Sequence, residues 1–75
     1  MRSFRLAFGT TLRELRSAPG MSQEKLAQKA KVSRNFVGSV ERGESSLSLE
    51  AADRLARALG TQLHDVVKIA DSKRK

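Results

Sequence analysis

Arg34 and Asn35 stand side by side just after Ser33, at the front of a helical pattern that continues to Val40. A guanidinium and a carboxamide are the side-chain groups best matched to the paired hydrogen-bonding edges of guanine and adenine in a DNA major groove. Ser33 is a good helix N-cap, so the pair falls on the exposed first turn of its helix. A second helical pattern lies immediately upstream, opened by Ser22 and Gln23 and ended by the turn Lys31-Val32. Two short capped helices with such a pair in front suit a small protein that reads DNA.

Other chemistry finds little support. The single histidine, His64, adjoins Asp65, but neighbours along a helix do not face each other, and no second ligand lies at metal-binding spacing. A surface histidine and no metal are expected. The absence of cysteine excludes disulfides and thiolate metal sites. No nucleophile–base pair, glycine-rich phosphate loop or recognisable carboxylate pair is present. Neither an enzyme nor a cofactor is expected.

The 75 residues carry 15 Lys plus Arg against 8 Asp plus Glu, a net charge of +7. That excess favours polyanionic partners by raising local concentration and releasing counterions from phosphate. It is spread along the chain and not gathered in one tail. One domain is expected over residues 1–75, with a core at about 4–70 and a frayed basic tail at 71–75. Arg2 and Arg5 precede no sustained apolar stretch, and apolar runs elsewhere are short. A cytoplasmic protein with no membrane partner is expected.

Five helical patterns can be read and no strand pattern competes, so the expected fold is all-α. Phe8, Leu12 and Leu15 form the apolar stripe of a first helix at about 4–17, stopped by Pro19-Gly20. Ser22 caps a second helix whose inward residues are Leu26, Ala27 and Ala30. Ser33 caps a third with Val37 and Val40 inward, closed by Arg42-Gly43. After the polar stretch Glu44-Ser45-Ser46-Leu47, Ser48 caps a fourth, with a stripe of Leu49, Ala52, Leu55, Ala56 and Leu59 up to Gly60. A short fifth begins near Gln62, with Leu63, Val66 and Val67 apolar.

Two helices joined by so short a turn cross steeply, and close crossing calls for a small residue where they touch. Ala27 falls there. The outward face of the third helix is then left with Arg34, Asn35, Gly38 and Ser39. Taken in order, Leu12-Arg13-Glu14-Leu15-Arg16, the run from Gly20 to Ala27, Val32-Ser33-Arg34, Val40-Glu41-Arg42-Gly43, the run from Leu55 to Gly60 and the closing helix resemble the Cro and lambda-repressor (XRE) type of helix-turn-helix domain over about residues 6–69.

The resemblance implies a role for each matching position. Gln23 is similar to a residue that binds a backbone phosphate and braces a base-reading side chain. Ser33, Arg34, Asn35 and Ser39 fall on recognition-helix positions facing the major groove. Arg42, Ser45 and Ser46 fall in a loop that touches phosphate, and Arg16 with Glu41 matches a pair tying the first helix to the end of the third. Three positions depart from the pattern. Lys31 stands in the turn where glycine is common. Phe36 replaces a frequent tyrosine, and without a hydroxyl it would pack on sugar or a thymine methyl, or else serve as partial core. Gly38 interrupts the reading helix, either to let DNA approach or as a tolerated cost.

The reading that follows is a sequence-specific transcriptional regulator, similar to phage repressors and restriction–modification controller proteins. It would bind double-stranded DNA at a palindromic operator as a homodimer and regulate its own promoter. Leu63, Val66 and Val67 of the last helix are the expected dimer contacts. Two alternatives stay open: an antitoxin-type protein that also neutralises a partner toxin, and a protein-interaction module using the same fold without DNA.

Overall fold

The computed structural model describes residues 3–74. It contains five helices: α1 (Phe4–Ser17), α2 (Gln23–Ala30), α3 (Arg34–Glu41), α4 (Leu49–Ala58) and α5 (Leu63–Ser72). No strand occurs among the described residues, and no helix among them is long and apolar enough to cross a membrane. Four of the five helices begin at a serine whose hydroxyl oxygen accepts from a first-turn amide. Ser3 accepts from Leu6 at 3.1 Å, and Ser22, Ser33 and Ser48 accept from Lys25, Phe36 and Ala51 at 3.0 Å each. Each bond satisfies an orphan donor and fixes where its helix starts. Three of these caps are legible from composition; Ser3 is an addition.

Helices α1 and α2 clamp α3, while α4 and α5 close the far side: α1 packs on α3 and α5, α2 on α3 and α4, and α4 on α5. Phe8, Leu12, Leu26, Val37, Val40, Leu55 and Val66 form a continuous buried core, with Leu15, Val32 and Phe36 packed at its edge. Ala27 is buried, as the α2–α3 crossing requires. A second small residue, Gly9, serves the α1–α3 crossing. A Cβ there would lie 2.1 Å from the carbonyl oxygen of Val40, so only glycine lets α1 approach the end of α3 this closely.

Lys31 closes α2 at φ 60°, ψ 46°, a left-handed residue where a side chain is strained. Its amide donates to the carbonyls of Ala27 and Gln28, which keeps the turn tight despite the strain. Lys31→Gly should therefore raise stability by about 0.5–1 kcal/mol, the released strain exceeding the added unfolded-state freedom of glycine. Urea denaturation checks this, and a lowered midpoint would show that Lys31 is not strained.

Three expectations need correction. Leu49 is 80% exposed and does not join the α4 core stripe, because as the first helical residue it stands at the rim of a groove lined by Phe4, Phe8, Leu63 and Val67. Val66 is fully buried, together with Ala70 one turn on, so it belongs to the monomer core and offers nothing to a partner. The frayed tail is absent as far as Arg74. Helix α5 runs through Ser72, Lys73 Nζ meets Glu14 Oε1 at 2.8 Å, and the Arg74 guanidinium lies 5.6 Å from the centre of the Phe4 ring. These contacts tie the end of α5 back onto α1. Lys75, the last residue of the expected tail, lies outside the described residues, as does Arg2.

Candidate nucleic-acid interface

The site rests on a polar anchor beneath α3. Arg16 of α1 donates from Nε and Nη2 to the two oxygens of Glu41 at 2.6 and 3.1 Å, and from Nη1 to the Met21 carbonyl at 2.7 Å. Gln23, first residue of α2, donates from Nε2 to Glu41 Oε1 at 3.0 Å. The Glu41 side chain is only 4% exposed, so a carboxylate that would be costly alone is fully engaged by a fork and an amide. One acid at the end of α3 thereby locks α1, the start of α2 and the loop between them. The Arg16–Glu41 tie implied by the resemblance is present, and Gln23 and Met21 extend it.

At the other end of α3, Arg34 and Asn35 are exposed, and among the described residues no hydrogen bond or ion pair holds either side chain. The Ser33 oxygen is occupied as the cap, but its proton remains free to donate outward. Phe36 is half-buried against the core, leaving one edge at the surface.

Ser39 is half-buried, its hydroxyl donating to the Phe36 carbonyl at 3.1 Å and lying 2.5 Å from Ser45 Oγ. When the Ser39 proton is on Phe36, Ser45 is the donor of the pair; either hydroxyl can take that role. In that arrangement both hydroxyl protons are engaged within the domain. Ser46 keeps its proton, because its oxygen accepts from Arg5 Nη1 at 3.3 Å.

Gly38 is the largest departure from expectation. It is buried, not open on the outer face, because Arg42 and Gln23 lie over it. Arg42 Nε meanwhile donates to Glu44 Oε1 at 3.0 Å, an ion pair in which both side chains are 60% exposed.

Helix α3 and the loop after it thus bring together Arg34, Asn35, Ser33 and the edge of Phe36 at one end, and Gln23, Arg42 and Glu44 around Gly38 at the other. Ser46 is drawn toward α1 by Arg5. Arg5 is a basic residue that sequence patterns miss, since its partner lies 41 residues away. Chemically the surface carries one cation and a carboxamide at the front of α3 and a second cation, paired with Glu44, just after its end, a pattern suited to base edges flanked by phosphates. No group of three or more His, Cys, Asp or Glu able to hold a metal occurs among the described residues. His64 is 75% exposed, a surface histidine, but its Nε2 lies 3.5 Å from Asp65 Oδ1, so these two helix neighbours do meet, against the expectation that they would not.

Comparisons with known proteins agree with this architecture. The helix-turn-helix domain model matches residues 7–68. Control protein C.BamHI of Bacillus amyloliquefaciens is 38% identical over 66 residues, covering 87% of this chain and 82% of that protein. The crystal structure of the restriction–modification controller protein C.AhdI from Aeromonas hydrophila is 44% identical, with a TM-score of 0.79 over 81% of this chain and 92% of that one. The clp gene regulator ClgR from Corynebacterium glutamicum is 30% identical, with a TM-score of 0.91 over 96% of this chain and 77% of that one.

Proposed function

The chain belongs to the XRE-type helix-turn-helix family of DNA-binding regulators, and on that premise we propose that it is a sequence-specific transcriptional regulator acting as a homodimer. The observation that carries this reading is the asymmetry of α3. Its C-terminal end is anchored by Glu41 to Arg16 and Gln23, while Arg34 and Asn35 at its front are exposed and unengaged. A rigid base with a free bidentate pair in front is what direct major-groove readout needs. In this reading the whole chain is one cytoplasmic unit, with Arg34 and Asn35 reading base edges and Ser33 and Phe36 beside them.

The dimer is proposed from the exposed apolar residues of one face. Leu49, Val67 and Phe4 are 80%, 36% and 37% exposed around the groove between α1, α4 and α5, with Leu63 at its wall. Two protomers would place their α3 helices in successive major grooves, about 34 Å apart, on a palindromic site. The named relatives include control and restriction–modification controller proteins. They support a regulator over an antitoxin or a pure protein-interaction module, and action on its own promoter is part of this proposal.

In-vitro selection of bound duplexes, with analytical ultracentrifugation of the free protein, tests the reading. A palindromic consensus and a dimer at micromolar concentration are expected; no enrichment of any sequence would overturn it. Arg34→Ala should weaken binding to the selected site by about 1–3 kcal/mol and relax discrimination at one base position per half-site. An equal loss on every sequence would make Arg34 a phosphate contact instead.

A further inference from the structure

We propose that Gly38 is the seat of the Arg42 side chain, and that its missing Cβ is what sets Arg42 beside Gln23 as a joint grip on one DNA backbone phosphate. The proposal rests on the DNA-binding reading above and assigns Gly38 a positioning role within it. Two distances carry it. A Cβ built on Gly38 would lie 3.2 Å from Arg42 Nη1 and 3.9 Å from both Gln23 Nε2 and Oε1. The guanidinium and the carboxamide therefore both border the space above Gly38, one folding back from the end of α3 and the other reaching across from the start of α2.

Their remaining hydrogen-bonding capacity defines the ligand. Arg42 Nε is held by Glu44, which leaves the two terminal nitrogens of the fork as donors. Gln23 Nε2 gives one hydrogen to Glu41 and keeps the other. That orientation is fixed, because turning the amide would set its oxygen against the carboxylate. The Glu41 charge is already matched by Arg16, so it does not repel an incoming anion. Several free N–H groups, one of them on a cation, converge on a site that a phosphate oxygen pair satisfies.

A methyl group at position 38 would occupy the space against which Arg42 lies. At 3.2 Å the contact is tighter than ordinary packing, and the atom that must yield is the far end of a flexible side chain, not backbone. The fold accommodates the change and the guanidinium moves. Alanine also has the higher helix propensity. Gly38→Ala is therefore expected to melt no lower than the wild-type protein while binding DNA less well, a separation that a purely structural glycine would not give.

The test is a double-mutant cycle. Wild-type, Gly38→Ala, Arg42→Ala and the double variant are titrated at several salt concentrations against a duplex selected by the wild-type protein and against a scrambled duplex. Arg42→Ala should lower affinity about tenfold on both duplexes and reduce the salt slope by about 0.9. Gly38→Ala should lower affinity several-fold in the same sequence-independent way, and should have no further effect once Arg42 is absent. Equal losses from Gly38→Ala in both backgrounds, unchanged affinity, a lowered melting temperature, or a loss confined to one base position would each overturn the proposal and leave the regulator reading intact. A wild-type protein that selects no duplex at all would overturn both.

Discussion

Replacing Arg16 with methionine should cost the domain about 3–5 kcal/mol, the range for removing one partner of a buried ion pair. A domain of this length has on the order of 4–11 kcal/mol in total, so the loss brings it close to its unfolding limit. Methionine fills most of the volume. The Glu41 carboxylate, 4% exposed, would nevertheless keep only the Gln23 amide at 3.0 Å, and the Met21 carbonyl would lose its donor at 2.7 Å. Lysine should rescue little, since a single ammonium cannot serve two carboxylate oxygens and a carbonyl in the plane the guanidinium spans. Chemical denaturation checks the magnitude, and a loss below about 1 kcal/mol would place the pair among exposed bridges of little weight. The double variant Arg16→Met with Glu41→Leu should recover much of the stability, because an apolar pair of similar volume leaves no unpaired charge. It should not recover DNA affinity, since Gln23 would have lost the acceptor that orients it.

That contrast separates what composition and periodicity reveal from what they hide. The serine caps at 22, 33 and 48 and the left-handed stop at Gly43 were legible because each depends on residues within one turn. The helix-turn-helix was legible as a whole because several such local signals fall in order. The Arg16–Glu41 pair joins residues 25 apart and shows no periodic trace, so only the family resemblance exposes it. Val66 and Val67 illustrate a different limit. Two adjacent apolar residues on a short helix leave its phase ambiguous, and the packing of α5 on α1 decides that Val66 goes in and Val67 out. Lys73 and Arg74 look solvated by composition, yet their partners Glu14 and Phe4 lie on α1. Arg34 and Asn35 stand out in the sequence because their residue types and their place just after the Ser33 cap are local features.

Gly9→Ala should destabilise the protein by about 2 kcal/mol or more, against what helix propensity alone dictates. Gly9 lies inside α1, where alanine is favoured over glycine by about 1 kcal/mol. The new methyl carbon, however, would stand 2.1 Å from the Val40 carbonyl oxygen, 2.8 Å from the Glu41 oxygen and 3.0 Å from its carbonyl carbon. All three are backbone atoms of α3 and none can rotate away, so the two helices must move apart. Overpacking of this kind costs about 1–3 kcal/mol and more where backbone must shift. Steric displacement therefore outweighs propensity. The displaced segment carries Glu41, so the separation also strains the bonds from Arg16 and Gln23, and the surviving folded fraction should bind DNA more weakly. Gly38→Ala is the internal comparison: the same substitution in another helix, where the obstructing atom is the mobile end of Arg42 and the fold yields. Urea denaturation of the two variants side by side should move their midpoints differently, down for Gly9 and level or up for Gly38. A Gly9→Ala protein as stable as wild type would mean that α1 and the end of α3 do not approach this closely, and the anchor beneath the reading helix would have to be rebuilt.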